Sequence, residues 1–251
     1  MIAALLLAMH LGNDPVAPFR IVGNVYYVGA SDVTSYLITT PRGHIVLDGG
    51  FAETAPMIVA NIRKLGFDPA DVRLILNSHA HLDHAGGIAE LRRITGAKFL
   101  ASAPDTAQLA RGGTDDPQFG NRFLFPPAPP DQLIRDNQRI TLGRTTLTAH
   151  ITPGHTRGCT TWTMRAGGRD VVFLCSATAP SEYRLTPDVV ADYRRTFAIL
   201  RSLPCDVFLG SHGGFFDLKG KVGHPGRFID PAGYKAHIDA LEASLNKRVQ
   251  P

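Results

Sequence analysis

Val72-Arg73-Leu74-Ile75-Leu76-Asn77-Ser78-His79-Ala80-His81-Leu82-Asp83-His84-Ala85-Gly86-Gly87 is the stretch on which the reading of this chain turns. Its first six residues, Val72 to Asn77, form an apolar run of the kind that makes a buried strand. Ile88, Leu91 and Ile94 follow the paired glycines at helical spacing. Between strand and helix stand three imidazoles and a carboxylate: His79, His81, Asp83 and His84. Layered α/β proteins build their sites at such strand ends. Loop histidines are usually just solvated, but this density, with no lysine or arginine interspersed, points to metal. The four side chains are too close in sequence to serve one ion and suit two ions side by side.

Upstream, strand-like runs occur at Phe19-Arg20-Ile21-Val22, Val25-Tyr26-Tyr27-Val28, Ser35-Tyr36-Leu37-Ile38 and His44-Ile45-Val46-Leu47. Gly23-Asn24 and Pro41-Arg42-Gly43 punctuate them as turns. A helix follows near residues 54–65, with Ile58, Ile62 and Leu65 on one face and Gly66 as its stop. The second half repeats the plan. Strands are expected at Arg139 to Leu142, Thr145 to Ile151, Thr160 to Met164 and Val171 to Leu174, a helix over 188–203, and a strand at Asp206 to Leu209. Leu74-Ile75-Leu76-Asn77-Ser78-His79 and Val207-Phe208-Leu209-Gly210-Ser211-His212 each follow a helix and end in Ser-His. Ile45-Val46-Leu47-Asp48 likewise resembles Val172-Phe173-Leu174-Cys175. The expectation is two similar β-then-α halves packed face to face with helices outside. A last helix starts at Asp230-Pro231, a good cap and first-turn pair, and carries Tyr234, Ile238, Leu241 and Leu245. Residues 112–130 have no period; their aromatics Phe119, Phe123 and Phe125 make them either a lid over a site or a loop plugged into the core.

With 251 residues, 44% hydrophobic, the chain has ample material for a core, as one large domain or two small ones. A net charge of +4 is scattered, and no basic stretch interleaves with aromatics, so a nucleic-acid groove is not indicated. No run reaches the roughly 18 apolar residues of a membrane span. The three cysteines, Cys159, Cys175 and Cys205, leave at least one unpaired and say nothing of compartment. Residues 1–11 resemble the apolar core of a secretory signal but lack its basic start; they are either a signal remnant or an N-terminal helix.

Two ions need more ligands than the cluster offers. His155, in the turn Thr152-Pro153-Gly154-His155-Thr156, and His212, placed by the repeat, are the candidates. His44, beside a hairpin turn, and His237, on the last helix, are expected at the surface. His150 reads as part of a strand, and His10 and His224 have no ligand context. Imidazole-rich sets with few carboxylates suit Zn²⁺.

His79-Ala80-His81-Leu82-Asp83-His84, Leu47-Asp48-Gly49-Gly50, Gly154-His155-Thr156 and Gly210-Ser211-His212 together resemble the metallo-β-lactamase superfamily. Ala110-Arg111-Gly112-Gly113 with Phe119-Gly120, Asp192-Tyr193-Arg194-Arg195 and Leu203-Pro204-Cys205-Asp206-Val207 are similar to its third subclass, dizinc enzymes with an all-histidine first site. The likeness covers about residues 16–248. It implies a four-layer αββα sandwich, α/β in class, with two similar halves, and one domain over residues 1–251 in which 1–15 are a signal remnant or N-terminal extension. It implies two Zn²⁺ per chain, the first held by His79, His81 and His155, the second by Asp83, His84 and His212. It also implies hydrolysis of the β-lactam amide bond of penicillins, cephalosporins and carbapenems, hence antibiotic resistance. A metal-bridging hydroxide would be the nucleophile, ligated and oriented by Asp83. Asp48 would fix a ligand histidine or simply form the turn before Gly49. Ser176 and Thr178 would bind the substrate carboxylate, and Phe119 its apolar groups. Partners are then limited to the small-molecule substrate, with no nucleic acid, no membrane and a monomeric chain in the periplasm or secreted.

The sequence departs from the family in places. Arg157 stands where proline is frequent, and no cysteine after Cys205 is present to bridge to the last helix. Cys175 adjoins the place where another subclass has a cysteine ligand; a small buried residue is the alternative reading. Thioester hydrolases and lactonases of the same fold carry a bridging Asp after the second half's strand, where this chain reads Leu174-Cys175-Ser176-Ala177-Thr178. They are one rival; a non-catalytic zinc-binding protein is the other.

Overall fold

A computed structural model describes residues 12–250. The apolar segment 1–11, and His10 with it, lies outside the described residues. Among the described residues, twelve strands form two sheets. The first runs in the order β1 (Phe19–Val22), β2 (Val25–Tyr27), β3 (Tyr36–Thr40), β4 (Gly43–Leu47), β5 (Val72–Leu76), β6 (Lys98–Ser102), β7 (Gln132–Ile134). The second comprises β8 (Arg139–Leu142), β9 (Thr145–Ile151), β10 (Thr160–Ala166), β11 (Arg169–Leu174) and β12 (Val207–Gly210), in the order β12-β11-β10-β9-β8.

Alternation along the strands sets the layers. In β3, Tyr36 and Ile38 enter the core between the sheets while Leu37 faces the other way; in β4, Ile45 and Leu47 do so while Val46 turns out. The outward set is covered by helices α1 (Ala55–Lys64) and α2 (Ile88–Thr95), through Ile58, Ile62, Ile88 and Leu91. The inner set meets Leu147, Trp162 and Phe173 of the second sheet. Helices α3 (Pro187–Ser202) and α4 (Pro231–Val249) lie on that sheet through Phe197, Leu200, Ile238 and Leu245. Both begin as the sequence dictates: Thr186 accepts from the Val189 amide and Asp230 from that of Gly233, with proline in the first turn each time. The result is the expected αββα sandwich.

The two halves are alike in wiring. β3 and β4 are antiparallel, then α1 carries the chain to β5, parallel to β4. β10 and β11 are antiparallel, then α3 carries it to β12, parallel to β11. The short repeat noted in the sequence therefore marks equivalent strands, and the ends of β5 and β12 open on the same edge.

Several expectations need correction or addition. β6 and β7 extend the first sheet and were not anticipated; β6 offers only Phe99-Leu100-Ala101 as an apolar run, and β7 is a three-residue edge strand. His44 is not at the surface: β4 is buried along its whole length, and the imidazole packs edge-on to Phe67, centroids 5.1 Å apart. His237 is half-buried rather than exposed; it lies between Phe208 and Phe215, and burial pushes its pKa down to about 4. The 112–130 loop serves both proposed purposes, since Phe125 is buried against the α1–α2 layer while Phe119 and Phe123 face a cavity.

Trp162, the only tryptophan of the chain, is fully buried between the sheets, and its indole N–H donates to the Asn77 carbonyl at 3.1 Å, two residues before His79. Replacing Trp162 by Phe removes that donor and part of the ring, and is expected to lower stability by about 1–3 kcal/mol. Urea unfolding followed by circular dichroism measures this; an unchanged midpoint contradicts the role given to Trp162.

Candidate metal centre

Six side chains from four places converge at the shared edge. His79 and His81 leave the end of β5, and Asp83 and His84 lie in the single helical turn Leu82–Ala85. His155 follows β9 and His212 follows β12. The chain reaches His155 through Gly154, whose φ is +133° and where a Cβ would lie 2.7 Å from the Tyr193 ring, so only glycine is accommodated. His81 Nδ1 faces His155 Nε2 at 3.1 Å, and candidate ligand atoms of His79, His81 and His155 all lie within 4.8 Å of one another. Beside them, His84 Nε2 faces His212 Nε2 at 3.2 Å. Asp83 Oδ2 is 3.2 Å from the first of these nitrogens and 3.5 Å from the second. The six candidates thus assemble as two adjacent groups of three.

Each imidazole is also held from behind. His155 Nδ1 bonds to the Thr178 carbonyl at 2.9 Å, His212 Nδ1 to Asp32 at 2.9 Å and His79 Nδ1 to Ser78 Oγ at 3.0 Å. His81 Nε2 lies 3.7 Å from Asp116, and His84 Nδ1 lies 3.3 Å from Asp48 at ion-pair rather than hydrogen-bond geometry. Such outer partners fix ring orientation and leave the inner nitrogen's lone pair free. Asp48 also accepts from the Ser78 amide at 2.6 Å and the Asn77 side chain at 3.1 Å, and sits at φ +65°, so it both forms the turn and holds the site. Sequence reasoning missed Asp32 and Asp116. Asp116 lies within the 112–130 loop, whose aromatics already drew attention to it; Asp32, before β3, has no spacing that ties it to the cluster.

Electrostatics separate the two groups. Burial, reinforced by the neighbouring imidazoles, lowers the pKa of His79 and His155, so both are neutral lone-pair donors. Burial acts the same way on His84, but Asp83 and Asp48 outweigh it and raise that ring to about 10. Burial alone would raise the Asp83 carboxyl; His84 and His212 pull it far down instead. A cation would take the place of that shared proton.

The centre floors a cavity of about 460 Å³ lined by Phe51, Phe119, Arg122, Phe123, Thr178 and Pro180. Of the three residues expected to touch substrate, Phe119 and Thr178 line this cavity. Ser176 does not: it is 2% exposed, outside the cavity lining, with its hydroxyl turned to Thr178 Oγ1 at 2.9 Å. Cys175 forms a disulfide with Cys159 behind His79, so its sulfur is not a free thiolate ligand; Cys205 is the free cysteine. No Cys-x-x-Cys spacing announced that pairing.

The residues present fit a metal pair. His79 Nε2 is buried without a protein hydrogen-bond partner, and two pairs of ring nitrogens meet within 3.2 Å, an arrangement suited to a shared cation. Five imidazoles and one carboxylate favour zinc.

Residues 28–212 match the family model described as the metallo-beta-lactamase superfamily. The native FEZ-1 metallo-beta-lactamase of Legionella gormanii is 40% identical, covers 94% of this chain and 97% of its own, and superposes with a TM-score of 0.91. BJP-1, a subclass B3 metallo-beta-lactamase of Bradyrhizobium japonicum, is 37% identical over 96% of this chain and 97% of its own, with a TM-score of 0.88. Among curated relatives, the N-acyl homoserine lactonase AttM of Agrobacterium fabrum is 34% identical over 158 residues, half of this chain and 57% of the lactonase. The chain belongs to the metallo-beta-lactamase superfamily, and its likeness to the third subclass extends over nearly its full length.

Asp48→Asn keeps the side-chain shape and tolerates the positive φ but removes the charge behind His84. It is expected to weaken zinc binding at the Asp83-His84-His212 group by about 10–100-fold. Competition against a chromophoric chelator reads this, and unchanged affinity rules out the holding role.

Proposed function

We propose that this member of the superfamily hydrolyses β-lactams with two zinc ions, the first held by His79, His81 and His155 and the second by Asp83, His84 and His212. The observation that carries the reading is the donor set itself: five imidazoles and a single carboxylate on the floor of a cavity sized for a small molecule. Zinc bound there supplies Lewis acidity towards a carbonyl and lowers the pKa of water to near neutrality.

The protein's own groups do the rest. Asp83, pinned between His84 and His212, keeps one carboxylate oxygen within the second group, from which it would orient the attacking water. Thr178 and Arg122 stand at the cavity wall for the substrate's carboxylate; Arg122 is the one arginine or lysine lining it among the described residues. Phe51, Phe119 and Phe123 shed water from the apolar side of the substrate. Arg122 is held over the Phe123 ring at 4.7 Å and paired with Glu182 at 3.2 Å, so it is placed before substrate arrives. The Cys159–Cys175 disulfide supports an oxidising compartment, the periplasm or the exterior. No helix among the described residues is long and apolar enough to cross a membrane.

The lactonase match favours a second reading, hydrolysis of a lactone or thioester by the same centre. Against it stands Leu174-Cys175-Ser176-Ala177-Thr178, which brings no second carboxylate to the metals after β11.

Zinc-loaded protein is expected to open a carbapenem and a cephalosporin and to stop when a chelator is added. Turnover of an acyl homoserine lactone or a glutathione thioester with none of either β-lactam establishes the second reading instead. Arg122→Ala is expected to raise KM for a carboxylate-bearing β-lactam by about 5-fold, the worth of a half-exposed ion pair near 1 kcal/mol, with kcat little changed. Steady-state kinetics at low and moderate salt check it; an unaltered KM removes Arg122 from substrate recognition.

A further inference from the structure

The first metal group is made of imidazoles alone, and its ligands come from two separate loops: His79 and His81 after β5, His155 after β9. A buried carboxylate that sequence reasoning did not single out joins those loops. Asp105 follows β6, the strand next to β5, and is 3% exposed. Its Oδ2 accepts from the Ala80 amide at 3.1 Å, the residue between His79 and His81. The same oxygen accepts from Thr156 Oγ1 at 2.8 Å, the residue after His155. Its Oδ1 accepts from the Gly158 amide at 2.7 Å. Gly158 is required for that approach, because a Cβ there would lie 2.6 Å from the Asp105 carboxyl carbon.

We propose that Asp105 is a positioning residue for the first metal: it clamps the His79–His81 segment to the His155 turn and sets a carboxylate, besides Asp116, behind a ligand group that contains no carboxylate among its ligands. Two arguments converge on this. Geometrically, the clamp acts on the residues flanking His81 and His155, whose inner nitrogens stand 3.1 Å apart, close enough to share one ion. Electrostatically, all three partners of Asp105 are neutral donors, so its buried charge is stabilised by hydrogen bonds alone. A dication at the adjacent imidazoles is its natural counter-charge. The second group needs no such help, because Asp83 brings a carboxylate directly.

The inference rests on the zinc reading above but not on the identity of the substrate. Zinc affinity of Asp105→Asn is measured by chelator competition, and the first site is followed separately by the visible spectrum on cobalt(II) titration. The expected result is a first-site affinity about 10–100-fold lower with the Asp83-containing site within a few-fold of wild type, and kcat reduced more than KM is raised. Equal weakening of both sites, or none, overturns the proposal and leaves Asp105 a purely structural residue. Should Asp105→Asn fail to fold, Thr156→Val takes its place: it removes one donor, keeps the charge, and is expected to weaken the first site a few-fold. Unchanged first-site affinity in Thr156→Val then counts as refutation. Wild-type protein that binds zinc but opens no β-lactam disposes of the proposed function and leaves this test intact.

Discussion

An imidazole has two nitrogens, and the structure depends on engaging the outer one so that the inner one faces its neighbours. His79 leans on Ser78, His81 on Asp116, His84 on Asp48, His155 on the Thr178 carbonyl and His212 on Asp32. The supports come from five separate segments. Much of the sandwich can be understood as the frame that brings those segments to one edge: β3 and its preceding loop deliver Asp32, β4 delivers Asp48, and the turn after β11 delivers the Thr178 carbonyl. Removing one support frees a ring to rotate, which misplaces its lone pair without touching any ligand.

The two halves share their wiring but not their contribution. The β4-α1-β5 unit supplies four of the six candidate ligands from one six-residue stretch, and the β11-α3-β12 unit supplies His212 alone. His155 comes from the connection between β9 and β10. Concentrating ligands in one stretch allows adjacent metals, since Asp83 and His84 in their helical turn point beside His79 rather than along the same line. It also demands rigidity there, which the buried Trp162–Asn77 and Asp48–Ser78 hydrogen bonds provide.

The sequence was most readable where physics is local. Alternating strands, helix caps at Thr186 and Asp230, and the dense histidine stretch all declare themselves within a few residues. What stayed hidden depends on long-range packing. Asp32 and His212 are 180 residues apart, and Asp105 is joined to Thr156 across 51. Cys159 and Cys175 pair because β10 and β11 are neighbours, which spacing alone did not reveal. His44 and His237 looked like surface residues because a hairpin flank and a helix usually are exposed; a wholly buried β4 and the Phe208–Phe215 pair reversed both. Ser176 and Thr178 were indistinguishable as loop hydroxyls until the backbone turned one inwards.

The loop at 112–130 is anchored in the α1–α2 layer by Phe125 and meets the rim of the centre through Arg122 with Glu182, Gln118 with the Arg184 backbone and Phe119 against Tyr183. At the floor the loop contributes the approach of Asp116 to His81 and the packing of Phe119 on the same ring, centroids 5.3 Å apart. Chemistry and selectivity are therefore written into different pieces of chain. A substitution at the rim can therefore alter which molecule fits the cavity while leaving the six candidate ligands in place.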